Sequence, residues 1–171
     1  MCYEKDKNEQ SLSERVTELC QKTAASMGFE GHQIEEMALL GMLHDIGKIG
    51  LSQNILNGNH HLSESEWKEI KKHPETGYHI LKSVSEFSAI AEFVLCHHER
   101  PDGQGYPRGL EDHKIPVQAR ILSVAEAYDS MTNQHYKEPL SLIEAIRELQ
   151  LNIGKQFDEQ VVKIFVELVS C

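Results

Sequence analysis

Apolar positions recur at three- and four-residue intervals along almost the whole chain, and nowhere does a two-residue alternation persist. In residues 13–27, Val16, Leu19, Cys20 and Ala24 fall on one helical face. Residues 33–46 are more apolar, with Met37, Ala38, Leu39, Leu40, Met42 and Leu43, and predict a buried helix. Ser63 followed by Glu66 is a capping-box pattern that opens a helix over residues 64–72. Pro74 suits the first turn of the next helix, which runs to about residue 84. Residues 86–99 predict another buried helix. A break follows, because residues 100–109 hold two prolines and three glycines, the composition of a shaped loop. Helical spacing resumes over residues 117–132. Ser141 with Glu144 gives a second capping box ahead of a helix over residues 143–151. A last amphipathic stretch begins at Phe157 and carries Val161, Val162, Ile164, Phe165 and Leu168. The sequence has no internal repeat. It predicts an all-α fold, an irregular bundle of seven to nine helices.

Length and composition fit that picture. The chain has 171 residues, 40% hydrophobic and 26% charged, suited to one domain with one sizeable core. Residues 1–10 read as a polar N-terminal segment and residues 11–171 as the domain. No run of about 18 apolar residues predicts a membrane span. The N-terminus lacks the apolar core of a signal peptide, so a cytoplasmic location is expected. Cys2, Cys20, Cys96 and Cys171 are scattered without a Cys-x-x-Cys pair, which argues against a zinc knot or a disulfide framework. Cys20 and Cys96 read as small apolar core residues. The net charge of −10 argues against a nucleic-acid polymer or an anionic membrane as partner. It leaves room for a small phosphorylated ligand if a metal cluster supplies local positive charge.

The chemistry gathers on a subset of the ten histidines. His44 and Asp45 end one apolar run, and His97, His98 and Glu99 end another. Adjacent ionisable groups at the ends of buried helices are costly unless something pairs with them. His73 lies between these two clusters, just before Pro74. Three such segments suit a metal site in the core of a helix bundle. Imidazole and carboxylate ligands favour Mn, Fe, Zn or Ni over Ca or Mg. His32, His60, His61, His79, His113 and His135 read as caps, satisfied core residues or surface residues.

The local words add a resemblance. His44-Asp45-Ile46-Gly47-Lys48-Ile49-Gly50 is an HD motif with a glycine-lysine turn, and residues 97–107, His-His-Glu-Arg-Pro-Asp-Gly-Gln-Gly-Tyr-Pro, match a second signature without a gap. Together they resemble the HD-GYP family of bacterial phosphodiesterases that hydrolyse cyclic di-GMP. The resemblance extends to Ser13-Glu14-Arg15-Val16, to His73-Pro74-Glu75-Thr76-Gly77-Tyr78, to residues 115–121 and to Gln156-Phe157-Asp158. It implies an HD-domain fold with one or two divalent transition-metal ions, iron or manganese favoured and zinc or nickel compatible. Asp45 would bridge two ions, with His73, His97 and His98 completing one shell. His44 would serve the other ion together with Glu126. Asp45 and Lys48 would carry catalysis. Lys48, Arg100, Gly105, Tyr106 and Lys137 would contact substrate, and the Gly-Tyr-Pro loop would also meet a protein partner.

Three positions depart from the family pattern. Leu12 stands where a metal-binding histidine precedes Ser-x-Arg-Val, Glu126 stands where aspartate is usual, and Gln134 stands where an arginine faces phosphate. Leu12 and Glu126 both fall on the His44 ion, so that subsite is expected to be the weaker. Asp129, one turn on from Glu126, reads as a structural carboxylate. The expected reaction is hydrolysis of a cyclic dinucleotide by metal-activated water. The alternatives are a weak or inactive relative acting as a nucleotide sensor or partner-binding module, and an HD phosphohydrolase acting on another nucleotide.

Overall fold

The computed structural model describes residues 2–57, 61–133 and 138–170, with side chains of the first helix from Leu12 onward. Among the described residues there are nine α-helices and no β-strand, in line with the expected irregular bundle. They are α1 (Cys2–Ser26), α2 (His32–Leu43), α3 (Gln53–Asn57), α4 (Glu64–Ile70), α5 (His73–Lys82), α6 (Ser88–Cys96), α7 (Val117–Thr132), α8 (Leu142–Leu151) and α9 (Glu159–Val169). Both capping boxes form, with the Ser63 and Ser141 hydroxyls accepting from the Glu66 and Glu144 backbone N–H groups. Two differences from the sequence reading concern length. Helix α1 reaches back to Cys2, through residues without an apolar stripe, where glutamate, lysine and glutamine favour helix by propensity. Helix α3 has only five residues, too few for periodicity to register.

The main core gathers Val16, Cys20 and Ala24 of α1, Met37 and Leu40 of α2, Val94 of α6, Ile121 and Val124 of α7, and Phe165 of α9. Cys20 and Cys96 are buried, as core residues should be. Helices α1 and α2 approach closely at Gly41, where an added Cβ would lie 2.7 Å from the Thr17 Cα. Two partly buried ion pairs tie α7 to its neighbours. Arg15 of α1 donates to both carboxylate oxygens of Asp129, at 2.6 and 3.0 Å. Arg120 donates to Asp158 at 2.6 Å, and the other oxygen of Asp158 caps α9 by accepting from the Val161 N–H. Two of the resembling segments, residues 115–121 and 156–158, therefore meet in one ion pair.

The turn after α2 matters most for the site. Residues Ile46–Gly50 form a short 3₁₀ helix pressed against the start of α5. A Cβ on Gly47 would collide with the His73 carbonyl and would lie 2.6 Å from the Gly77 nitrogen. Only glycine allows this approach. It carries Asp45 and Lys48 alongside His73.

Candidate metal centre

His44, His73 and His97 are built alike. Each follows a helix end, and each ring Nδ1 lies against a carbonyl three residues back: Gly41 at 2.8 Å, Ile70 at 2.8 Å and Val94 at 2.5 Å. A carbonyl only accepts, so each Nδ1 carries the hydrogen. The bond satisfies a carbonyl that the ending helix leaves without a partner. It also fixes the tautomer, so every Nε2 presents a bare lone pair inward.

Those lone pairs converge. The Nε2 atoms of His73 and His97 are 3.2 Å apart. Asp45 Oδ2 lies 3.4 Å from His44 Nε2, and Asp45 Oδ1 lies 3.5 Å from His73 Nε2. All of these atoms are acceptors, and no proton lies between any two of them. His44 Nε2 and Asp45 Oδ1 are buried without a hydrogen-bond partner among the described residues. Buried polar atoms left in this state are rare and costly. Cations held among these atoms would satisfy them, so the donor set fits divalent metal. Nitrogen ligand atoms of His73, His97 and His98 lie within 4.8 Å of one another.

The surroundings favour the ligating protonation states. Burial holds His73 and His97 below the usual imidazole range, and it pushes His98 down to about 3, with His73 adding to the effect. Burial alone would raise the Asp45 carboxyl. The neighbouring Lys48 ammonium works against it, and the group lies well below the usual carboxylate range. Lys48 donates to Asp45 Oδ2 at 2.5 Å. Glu126, on α7, is close enough for its charge to act on His73, His97 and Tyr106.

His98 turns the centre towards its rim. Its ring lies 4.0 Å from that of His97 and 4.9 Å from that of Tyr106. Tyr106 is held there by its backbone N–H, which donates to the His98 carbonyl at 3.1 Å. The loop of residues 100–110 is fixed by its own polar groups. Arg100 donates through Nε and Nη2 to both oxygens of Asp102, at 3.0 and 2.6 Å. Glu99 is 2% exposed, and its two oxygens accept from the backbone N–H groups of Arg108 and Leu110 at 2.6 and 2.9 Å. A Cβ on Gly105 would meet the Glu99 Cα at 2.5 Å, so glycine is needed for the loop to fold over Glu99.

The structure thus brings His44, Asp45, Lys48, His73, His97, His98 and Tyr106 together, with Glu126 in their field. Arg100 is occupied by Asp102. Asp129 is held by Arg15, as its structural reading expects. Leu12 packs against the main core. Lys137 and Gln134 lie outside the described residues, as do His60, His135 and Cys171, and the Cys2 side chain is likewise not described. Sequence reasoning missed the clamp made by Glu99. The signal was present: an acid that ends a buried helix needs donors, and the glycine-rich loop directly after it supplies backbone N–H groups.

This geometry has counterparts. A model of the HD domain family matches residues 3–161. The chain belongs to the HD domain family. A cyclic di-GMP phosphodiesterase of Thermotoga maritima is 40% identical over 159 residues, which is 91% of this chain and 43% of that protein. A 3'3'-cGAMP-specific phosphodiesterase of Vibrio cholerae is 33% identical over 156 residues, 90% of this chain and 36% of that protein. This HD domain therefore spans less than half the length of these relatives. In fold it matches the crystal structure of a Vibrio cholerae cyclic GMP-AMP specific phosphodiesterase, with a TM-score of 0.75, 18% identity, and coverage of 93% of this chain and 44% of that one. An HDG"Y"P protein of Bdellovibrio bacteriovorus matches with a TM-score of 0.75 at 20% identity, over 94% of this chain and 52% of that one. No helix among the described residues is long and apolar enough to cross a membrane.

Proposed function

We propose that this domain is a cytoplasmic, metal-dependent phosphodiesterase that opens a cyclic dinucleotide, cyclic di-GMP first among them. One observation carries the reading: buried imidazoles with fixed tautomers present bare acceptor nitrogens to one another, those of His73, His97 and His98 lie close enough to share an ion, and Asp45 stands between His44 and His73. The names of its relatives supply the substrate class. His73, His97, His98 and Asp45 would hold one divalent ion, and His44, Asp45 and Glu126 would hold a second. Iron or manganese suits such a nitrogen-rich, mixed donor set, with zinc and nickel compatible. Bound there, divalent ions supply Lewis-acid activation of water and offset charge at phosphorus.

The protein's own groups do the rest. Asp45 is kept ionised with the help of Lys48, so it remains a ligand well into acid. Lys48, already drawn in by Asp45, is placed to meet a phosphate oxygen as negative charge grows on it. The Nδ1 bonds keep the imidazole rings from turning, so little reorganisation accompanies the reaction. Tyr106, stacked near His98, forms one wall for a bound nucleotide, and Gly105 permits that wall to stand close. The Gly-Tyr-Pro loop also offers a face to a protein partner.

Protein with measured metal content, assayed against cyclic di-GMP, 3'3'-cGAMP and linear dinucleotides, tests this reading. Metal-dependent release of linear or mononucleotide product is expected. A second reading, a nucleotide sensor with little turnover, is favoured by Leu12, an apolar side chain where the family supplies an imidazole. Tight binding of cyclic di-GMP by fully metallated protein without product would establish it instead.

A further inference from the structure

We infer that Lys71 is a phosphate-binding residue of this site, engaging the phosphate of a cyclic dinucleotide that is not being cleaved. The inference rests on the proposed function for the substrate class. Lys71 is exposed, and its ammonium sits over the Tyr106 ring at 5.4 Å from the centroid. That ring lies 4.9 Å from the ring of His98. The cation therefore stands one aromatic ring away from the metal centre, at its rim.

Its neighbours are already paired. Lys48 donates to Asp45, and Arg100 is matched along one edge by both oxygens of Asp102. Lys71 has no carboxylate partner among the described residues, whereas Lys22, Lys68, Lys82, Lys114 and Lys163 each have one. In a chain of net charge −10, a cation left unpaired beside an electron-rich cluster is available to an anion. A contact with an aromatic face is weak at an exposed site, so the ammonium can turn from the ring to a phosphate at little cost. A cyclic dinucleotide carries two phosphodiesters on opposite sides of its ring. With one at the metal centre, the other projects to the mouth, where Lys71 stands over Tyr106. The Tyr106 face below Lys71 suits the flat nucleobase beside that phosphate.

The test compares substrates with two phosphates and with one. Lys71→Met keeps the side-chain stem and removes the charge. For the metal-loaded protein, Lys71→Met is expected to raise KM for cyclic di-GMP about tenfold, the size of one charge-assisted contact. The kcat should stay within about twofold, and Lys71→Arg should restore most of the loss. Turnover of bis(p-nitrophenyl) phosphate, which has a single phosphate, should be unchanged. An unchanged KM for cyclic di-GMP would overturn the inference. Equal losses on both substrates would overturn it too, because Lys71 would then act only through Tyr106 and His98. Calorimetric binding of cyclic di-GMP to wild type and Lys71→Met reads the same contact without turnover. If the domain proves inactive, the proposed function fails, while a tenfold change in Kd still upholds Lys71.

Discussion

The metal centre and the loop beside it use the same residue types in opposite ways. At the centre, His44 Nε2 and Asp45 Oδ1 are buried acceptors with nothing to accept from. In the loop, Glu99 and Asp102 are also carboxylates at the edge of the core, yet every oxygen has a donor. A cluster of unsatisfied acceptors facing one another suits a cation, whereas the satisfied carboxylates of the loop hold the chain in shape. Composition cannot separate the two, because a carboxylate looks the same in sequence whichever use it serves. The difference is one of hydrogen-bond accounting, and it assigns roles: cation binding to the centre, scaffolding to the loop.

The widest separation between the regions should appear on acidifying metal-free protein. The folded chain keeps His73, His97 and His98 neutral, His98 down to about 3, where an unfolded chain protonates them near 6.5. Below pH 6.5 the unfolded state binds more protons, so stability falls as pH falls towards about 3. The slope approaches about 1.4 kcal/mol per pH unit for each such histidine. Denaturant titrations of chelated protein at pH 7, 6 and 5 would measure it. A flat profile would mean that the imidazoles open to water without metal. Bound metal should delay the loss, since it stabilises only the folded form.

Next in size is Asp45→Asn. The amide keeps the shape and removes the charge between His44 and His73. Metal affinity and hydrolysis should each drop by more than about 100-fold, above the range usual for losses outside the coordination shell. Undiminished metal content would move Asp45 from the centre's side of the comparison to the loop's. Glu99→Gln should do the reverse. One amide oxygen can still accept, but the amide nitrogen would face a backbone N–H, at a cost of about 2 kcal/mol in stability. Metal content should hold while loop order, read by Tyr106 fluorescence or proteolysis within residues 100–110, declines. Loss of metal with Glu99→Gln would show that the two regions are not separable.

Much of this was legible in the sequence because it is local. The helices other than the five-residue α3 were read from apolar spacing and end signals, and both capping boxes from residues three apart. The ligand cluster was visible because His44, Asp45, His97 and His98 each end an apolar run that must be buried. Partners brought together by tertiary structure were not legible. Arg15 and Asp129 are 114 positions apart, and nothing near either one names the other. The contact between Lys71 and Tyr106 depends on how the loop returns to the end of α4, so nothing in the sequence singled Lys71 out. Arg100, expected to contact substrate, is paired along one edge by Asp102 two residues on, a local pairing that its place in a ligand-rich motif did not suggest. Helix α1 began earlier than its apolar stripe because propensity, unlike amphipathicity, leaves no periodic mark.

The smallest expected effect probes the centre itself, where the contrast recurs in miniature. The side built from His73, His97 and His98 is rich in nitrogen ligands, while the proposed side at His44 would rely on Glu126, with Leu12 where the resembling family has an imidazole. If that side is the poorer, manganese should fill two sites with unequal affinity, and Leu12→His should tighten the weaker one roughly tenfold, about 1.4 kcal/mol. Leu12 also packs on the main core, so the substitution has a second signature. Without metal it places a polar ring against apolar neighbours and should lower stability by about 1–2 kcal/mol. With saturating manganese the deficit should shrink, because a ligand that binds only the folded state offsets it. A ring that coordinates gives both results, and a ring that merely crowds the core gives only the first. Equal filling of two sites in the wild type would assign the His44 ion a full shell already, with Glu126 and water replacing the missing imidazole. In that event Leu12→His would destabilise the protein with or without metal, and the departure at Leu12 would no longer bear on activity.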